Sequence, residues 1–170
     1  MSEQLNQALT NHLAKNNSLP KLAIVGIGNE LNGDDAAGVL VVKNLKSHLP
    51  VTDKMLLIEG SIAPENYTGS IRKFGPDWIW VFDAAQLEKK PGDVELIDLD
   101  LVESVGSNTH RLPPTMFLSY LKMEINFQSF LFGINPESVE PFSDVSEPIK
   151  IAIEKTTRFF LQWLRNNYNI

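Results

Sequence analysis

Carboxylate and imidazole side chains follow apolar segments of this 170-residue sequence in a pattern that could bind a metal ion. Asp34 and Asp35 lie in the glycine-rich stretch GIGNELNGDDAAG (26–38), which follows the apolar run LAIV. Asp83 directly follows WIWVF, and His110 lies in a polar stretch after a further apolar run. In open α/β sheets, residues at the carboxyl ends of strands meet at one edge. An aspartate of the Asp34–Asp35 pair, together with Asp83 and His110, would suit Zn²⁺, Ni²⁺ or a similar divalent ion.

Simpler interpretations exist for each of these residues. The glycine-rich stretch departs from the dinucleotide fingerprint at Leu31, and from the P-loop at Asp34 and Asp35, whose charge would repel phosphate. Aspartate favours helix N-termini, so we expect Asp34 to cap the helix that follows. Asp83 could be a turn residue, and a single loop histidine is usually solvated, as we expect for His12 and His48.

The elements that must position these residues alternate between strands and helices. WIWVF is apolar at every position, which is typical of a parallel strand buried on both faces. The strand at 93–97 follows the turn KKPG and is predicted to be an edge strand in a hairpin. The order predicts an α/β fold: a single-domain open, mostly parallel twisted sheet of about five strands with helices on both faces. Strands are predicted at 21–27, 55–59, 78–82, 93–97 and 129–134, and helices at 2–14, 34–47, 64–74, 113–123 and 145–168.

The composition excludes several classes of site. The absence of cysteine excludes disulfides, thiolate zinc sites, iron–sulfur clusters and a cysteine nucleophile. The sequence also lacks the Gly-x-Ser-x-Gly and His-Glu-x-x-His motifs of serine hydrolases and zinc peptidases. A net charge of −6 with scattered basic residues argues against nucleic-acid binding, and no apolar run approaches the roughly 20 residues of a membrane span. The N-terminus does not resemble a secretory signal, so we expect a cytoplasmic protein without membrane insertion.

The glycine-rich stretch resembles the pattern Gly-x-Gly-Asn-x-Leu-x-x-Asp-Asp/Glu-x-x-Gly of the nickel–iron hydrogenase maturation endopeptidases. The resemblance covers roughly residues 21–165 and continues through IEGSIAPEN, VFDAAQ, KPGDVELID, NTHRLP and LFGINPE. Ala36 stands where many members have glycine. SIAPEN and the Gly-x-Asn-Pro stretch are most similar to the branch that serves hydrogenase 3 and other formate-hydrogenlyase-type enzymes. We therefore expect a maturation protease domain at 20–170, preceded by a helical extension at 1–19.

This resemblance implies an endopeptidase that removes the C-terminal tail of a hydrogenase large-subunit precursor after nickel insertion. Asp35, Asp83 and His110 match the family's metal ligands, which contact nickel carried by the precursor, and Asp35 and Asp83 are the candidate catalytic residues. The family is classified as aspartic-type. The resemblance implies no organic cofactor, and we expect a monomer. It leaves open whether the protein has a metal of its own, and whether a carboxylate or a metal-bound water attacks the peptide.

Three alternatives remain from the sequence. A non-catalytic module that senses nickel and docks the precursor would use the same three residues. A nucleotide-binding enzyme of Rossmann type is disfavoured by Leu31 and by the Asp34–Asp35 pair. A peptidase with a substrate other than a hydrogenase could also use this fold, because fold alone does not determine function.

Overall fold

A five-stranded, mostly parallel sheet lies between two layers of helices in the computed structural model, which describes residues 1–97 and 114–170. The predicted α/β class is confirmed, and each predicted strand and helix has a counterpart in the structure. The helices predicted at 34–47 and 64–74 each begin with a 3₁₀ turn. The strands are β1 Leu22–Ile27, β2 Met55–Ser61, β3 Trp78–Ala84, β4 Val94–Ile97 and β5 Gln128–Ile134; the α-helices are α1 Ser2–Asn16, α2 Ala37–His48, α3 Thr68–Phe74, α4 Pro114–Lys122 and α5 Glu147–Tyr168; the 3₁₀ turns are Gly33–Ala36 and Pro64–Tyr67.

The strand order is β2-β1-β3-β5-β4, and only β4 is antiparallel to its neighbour. β4 is the predicted edge strand, but it pairs with β5 rather than β3, so the predicted hairpin is wrong. The reason is that residues 85–93 cross the end of β5, where the Ala85 N–H donates to the Ile134 carbonyl (3.0 Å) and the Asn135 N–H donates to the Asp93 carbonyl (2.9 Å). β5 thus separates the two strands.

Side chains alternate between the two faces of the sheet, as they do in any strand. On one face, α1, α2 and α5 cover Ile24 of β1 and Trp80 of β3. On the other face, α3 and α4 cover Val25 and Val81. All of β3 except its last residue is buried, which confirms the prediction for WIWVF.

An aromatic cluster fixes α5 on the first face. The ring of Phe160 lies 5.2 Å from Trp80, 4.8 Å from Phe82 and 4.8 Å from Phe132, measured between ring centroids, with edge-to-face geometry in each case. Such aromatic pairs contribute roughly 0.5–1.5 kcal/mol each beyond the area that they bury. This cluster therefore orients the longest helix relative to β3 and β5.

The N-terminal helix packs into the same core. Leu5 and Leu9 of α1 are buried, and Asn6 accepts a 2.8 Å hydrogen bond from the indole N–H of Trp163. His12 is half-buried, with its ring edge-on to Trp78 at 5.8 Å, so its interpretation as a solvated residue is wrong. The reason is that His12 shares a face of α1 with Leu5 and Leu9, and this face packs against the core beside Trp78. His48 is exposed, as expected.

A second set of contacts ties together the amino edge of the sheet. The Asp77 carboxylate accepts the backbone N–H of Lys21 (2.7 Å), and its carbonyl accepts the N–H of Gln128 (2.9 Å). The Tyr168 hydroxyl donates to the carbonyl of Pro20 (2.9 Å). Burial, with a smaller effect of the Asp77 charge, raises the pKa of Tyr168 above its usual range, so the hydroxyl stays protonated and able to donate.

None of the described helices combines the length and hydropathy that a bilayer crossing requires.

Gly38 brings α2 into backbone contact with the carboxyl ends of two strands. A Cβ at Gly38 would lie 2.2 Å from the Phe82 carbonyl oxygen of β3 and 2.5 Å from the Ile27 carbonyl oxygen of β1. Both obstacles are backbone atoms, which cannot rotate away. Any larger residue at position 38 would therefore push α2 off the sheet.

We expect Gly38→Ala to lower the free energy of unfolding by about 3 kcal/mol, the upper end of typical overpacking costs. Urea denaturation would measure this change. The matched control is Gly69→Ala in α3, where an added Cβ meets no atom within 4 Å. That substitution should raise stability by roughly 0.5–1 kcal/mol because alanine favours helix. Equal effects of the two variants would contradict the packing argument.

Candidate active site

The candidate site lies where the strand order changes direction, between β1 and β3. The chain leaves β1 for β2 on one side and then returns to β3 on the other. Open α/β sheets bind ligands in the crevice at such a switch point, outside the carboxyl ends of the strands. Gly26 of β1 pairs with Phe82 of β3, so Asp83 and the loop that follows β1 lie at this edge.

Glycines let the loop after β1 pack against the strand ends. Gly28 has φ +145°, and a Cβ there would lie 1.8 Å from the carbonyl oxygen of Asp35. A Cβ at Gly26 would lie 2.5 Å from the carbonyl oxygen of Gly38. The glycines of this stretch are thus explained by close backbone packing, which requires no phosphate.

Asp35 lies in the 3₁₀ turn Gly33–Ala36 and is half-buried. Its Oδ2 atom accepts the backbone N–H of Asn29 at 2.8 Å. Gly28, directly before Asn29, donates its own N–H to the Ser61 carbonyl at 3.0 Å, which ties the loop to the end of β2. The carboxylate of Asp35 is therefore oriented by the loop that carries it.

Asp83 is the second carboxylate of the site. It is 6% exposed and sits one residue before the end of β3, in register with Gly133 of β5. Burying a carboxylate is costly unless hydrogen-bond donors or cations compensate its charge. Asp83 therefore places a buried carboxylate at the edge where open α/β sheets bind their ligands.

Asp34 does not cap the helix, so that prediction is wrong. The N-cap position of α2 is Ala36, two residues after Asp34, because the 3₁₀ turn Gly33–Ala36 precedes the α-helix. The fully buried Asp34 carboxylate instead accepts the backbone N–H groups of Glu137 (2.9 Å), Ser138 (3.0 Å) and Ser146 (2.7 Å), and the Ser146 hydroxyl (2.9 Å). It joins the loop after β1 to the segment after β5.

Asn135 supports the loop after Asp83, a role that our sequence analysis missed. This residue is buried and directly follows β5. Its Oδ1 accepts the Leu87 N–H (2.7 Å), and its Nδ2 donates to the Lys89 carbonyl (2.8 Å). The position of Asn135, between an apolar strand and Pro136, could have indicated this role, because buried polar side chains usually hydrogen-bond to backbone or water.

The third predicted ligand, His110, lies outside the described residues. Its expected place at the carboxyl edge assumed that β4 ends there. Instead Val94 pairs with Ile134 and Ile97 with Leu131, so β4 begins at that edge and runs away from it. Within residues 1–97 and 114–170, no three His, Asp or Glu side chains form a group that could hold a metal ion.

Comparison with known proteins identifies relatives of this chain in both sequence and structure. The sequence profile of the hydrogenase maturation proteases matches residues 39–163. Hydrogenase 3 maturation protease of Escherichia coli strain K12 is 32% identical, over 82% of this chain and 88% of its own. The crystal structure of the nickel–iron hydrogenase maturation protease HycI from Thermococcus kodakarensis KOD1 has a TM-score of 0.77 and 33% identity, and the match covers 86% of this chain and 94% of that one.

We expect Asn135→Asp to loosen the loop after Asp83, because a carboxylate oxygen would replace the amide that donates to the Lys89 carbonyl. The loss of this bond in a buried setting should cost about 1–3 kcal/mol of stability. Trypsin should then cleave after Lys89 faster than in the wild-type protein. The control is Asn11→Asp on the exposed surface of α1, where Asn11 pairs only with Gln7 among the described residues. Unchanged cleavage after Lys89 would contradict this role of Asn135.

Proposed function

Because the chain belongs to the hydrogenase maturation protease family, we propose that it is an endopeptidase that removes the C-terminal tail of a nickel–iron hydrogenase large-subunit precursor after nickel insertion. The observation that carries the proposal is the placement of Asp35, in the 3₁₀ turn after β1, and of Asp83, near the end of β3, at the switch point. The names of relatives that mature hydrogenase 3 support a precursor of that type as the substrate.

In this proposal Asp35, Asp83 and His110 contact the nickel that the precursor carries. The assignment of His110 rests on the resemblance of the stretch NTHRLP to the corresponding family motif. Two carboxylates and an imidazole are ligands that a divalent nickel ion accepts. Nickel then belongs to the substrate, and only a precursor that carries it completes the contact. This would make cleavage depend on prior insertion of the metal.

Hydrolysis of the tail requires one water molecule, whose oxygen bonds to the carbonyl carbon as the carbon–nitrogen bond breaks. A proton from the water passes to the departing amine. A carboxylate can act as the general base that accepts this proton. Alternatively, the nickel of the precursor, held by Asp35, Asp83 and His110, would supply a Lewis acid that lowers the pKa of a bound water. Asp35 and Asp83 are the candidate catalytic groups, and the resemblance to a family that is classified as aspartic-type implies the same class for this protease.

The first test is cleavage itself. We expect the protein to shorten the cognate large-subunit precursor when that precursor is loaded with nickel and to leave the nickel-free precursor intact. Mass spectrometry of the large subunit measures both outcomes. Nickel-dependent binding with no change in mass would instead identify a docking module. Cleavage of both forms would remove nickel recognition from the proposal.

The second test separates the roles of the three residues. We expect Asp35→Asn, Asp83→Asn and His110→Ala each to lower the cleavage rate by about 100-fold or more, the contribution typical of a positioned catalytic group. The control is Asp53→Asn, an exposed aspartate before β2, which should cleave normally.

A binding measurement with nickel-loaded precursor then distinguishes chemistry from recognition. If Asp83→Asn still binds but does not cleave, Asp83 acts in chemistry. If binding is lost as well, Asp83 acts in recognition of nickel. Normal cleavage by both Asp35→Asn and His110→Ala would overturn the assignment of the site.

A further inference from the structure

We propose that Asp34 is a positioning residue, whose buried carboxylate holds the Asp35 loop in its functional geometry by fastening it to the segment after β5. The fully buried Asp34 carboxylate contacts backbone N–H groups and the Ser146 hydroxyl. The consequence of this positioning for cleavage rests on the proposed function, whereas its consequence for the loop does not.

The Asp34 carboxylate cannot be replaced by an amide without loss. Its Oδ2 accepts from the Glu137 and Ser138 N–H groups and from the Ser146 hydroxyl, while its Oδ1 accepts the Ser146 N–H. Both oxygens are therefore acceptors facing donors. An asparagine would place an NH₂ group against at least one N–H in either orientation. Hydrogen bonds to a charged acceptor are also stronger than those to a neutral one.

Backbone hydrogen bonds between the same two segments place the Asp34 side chain at the centre of a larger contact. The N–H of Gly33 donates to the Ser143 carbonyl (3.1 Å), and the N–H of Asp34 donates to the Ser138 carbonyl (3.0 Å). The N–H of Phe142 donates to the Leu31 carbonyl (2.6 Å). The loop is thus fastened to the segment after β5 at Leu31, Gly33 and Asp34. The side chain supplies the buried part of this contact, with no exposed surface.

The position of Asp35 depends on this contact because the two residues are neighbours in one 3₁₀ turn. On one side, Asp35 is held by Asn29 and by the close approach of its carbonyl to Gly28. On the other side, it is joined directly to Asp34 within the turn, where the Asp35 N–H also donates to the Asn32 carbonyl (3.1 Å). Each donor to the Asp34 carboxylate lies in the segment after β5, not within a strand. Loss of the carboxylate should therefore loosen the loop and leave the sheet intact.

Asp77 provides a matched control at the opposite edge. Its carboxylate also accepts a backbone N–H, that of Lys21 at the start of β1. Asp77→Asn should lower stability and leave the Asp35 loop unchanged. Asp34→Asn tests the proposal, and Ser146→Ala is a milder variant that removes only the hydroxyl donor and should fold in any case.

Hydrogen exchange of backbone amides measures the loop directly. In Asp34→Asn we expect the amides of residues 29–36 to exchange roughly tenfold faster or more, while those of β1 and β3 keep their rates. Ser146→Ala should give a smaller change in the same direction. Asp77→Asn should leave residues 29–36 unchanged. Wild-type exchange rates at residues 29–36 in both Asp34→Asn and Ser146→Ala would overturn the proposal.

Cleavage of nickel-loaded precursor provides the functional readout. Asp34→Asn should lower kcat by about tenfold to hundredfold, the effect of a small misplacement of a catalytic group, whereas Asp77→Asn should retain the wild-type kcat. A wild-type kcat for Asp34→Asn would overturn the positioning role. If the wild-type protein itself leaves the precursor intact, the proposed function fails, and the exchange measurement still decides whether Asp34 fixes the loop.

Discussion

The structure depends on direct backbone contact between α2 and the carboxyl ends of β1 and β3. At Gly38 the helix approaches the carbonyl oxygens of Ile27 and Phe82 so closely that no Cβ fits between them. Gly26 of β1 lets the Gly38 carbonyl approach the strand, and Gly28 lets the Asp35 carbonyl approach the loop after β1. Side-chain packing could not bring these elements so near each other. The contact forces the loop after β1 to fold back over the switch point with its aspartates.

The two adjacent aspartates of this loop, Asp34 and Asp35, lie in different environments. Asp34 is fully buried and surrounded by donors, so its charge is compensated within the protein. Asp35 is half-buried, and its carboxylate accepts the backbone N–H of Asn29 in the same loop. A loop with the glycine spacing of a phosphate site can therefore carry acidic residues, because its glycines serve packing and one of its charges is internally paired. Asp35 and Asp83 add negative charge at this edge, which disfavours an anionic ligand such as phosphate.

Local patterns in the sequence predicted the fold well, and long-range contacts account for what they did not predict. The apolar run WIWVF identified a strand buried on both faces because burial leaves a continuous hydrophobic signal. The partner of β4 was mispredicted because proximity along the chain favours a hairpin, whereas the crossing of residues 85–93 is fixed by tertiary hydrogen bonds to Ile134 and Asn135. The role of Asp34 was mispredicted for a related reason. Its partners, such as Ser146, lie more than a hundred positions away, and no spacing rule reports them.

The segment after β5 supports both carboxylates of the candidate site, although neither of them belongs to it. At its start, Asn135 binds Leu87 and Lys89 and so shapes the loop after Asp83. Farther along, Ser146 and its neighbours bind Asp34 and so hold the loop of Asp35. Loops are usually the least constrained parts of a fold, yet the proposed recognition of nickel would need ligands held within narrow limits. Two buried polar side chains, one at the end of a strand and one in a 3₁₀ turn, meet that need here by joining separate loops through backbone hydrogen bonds.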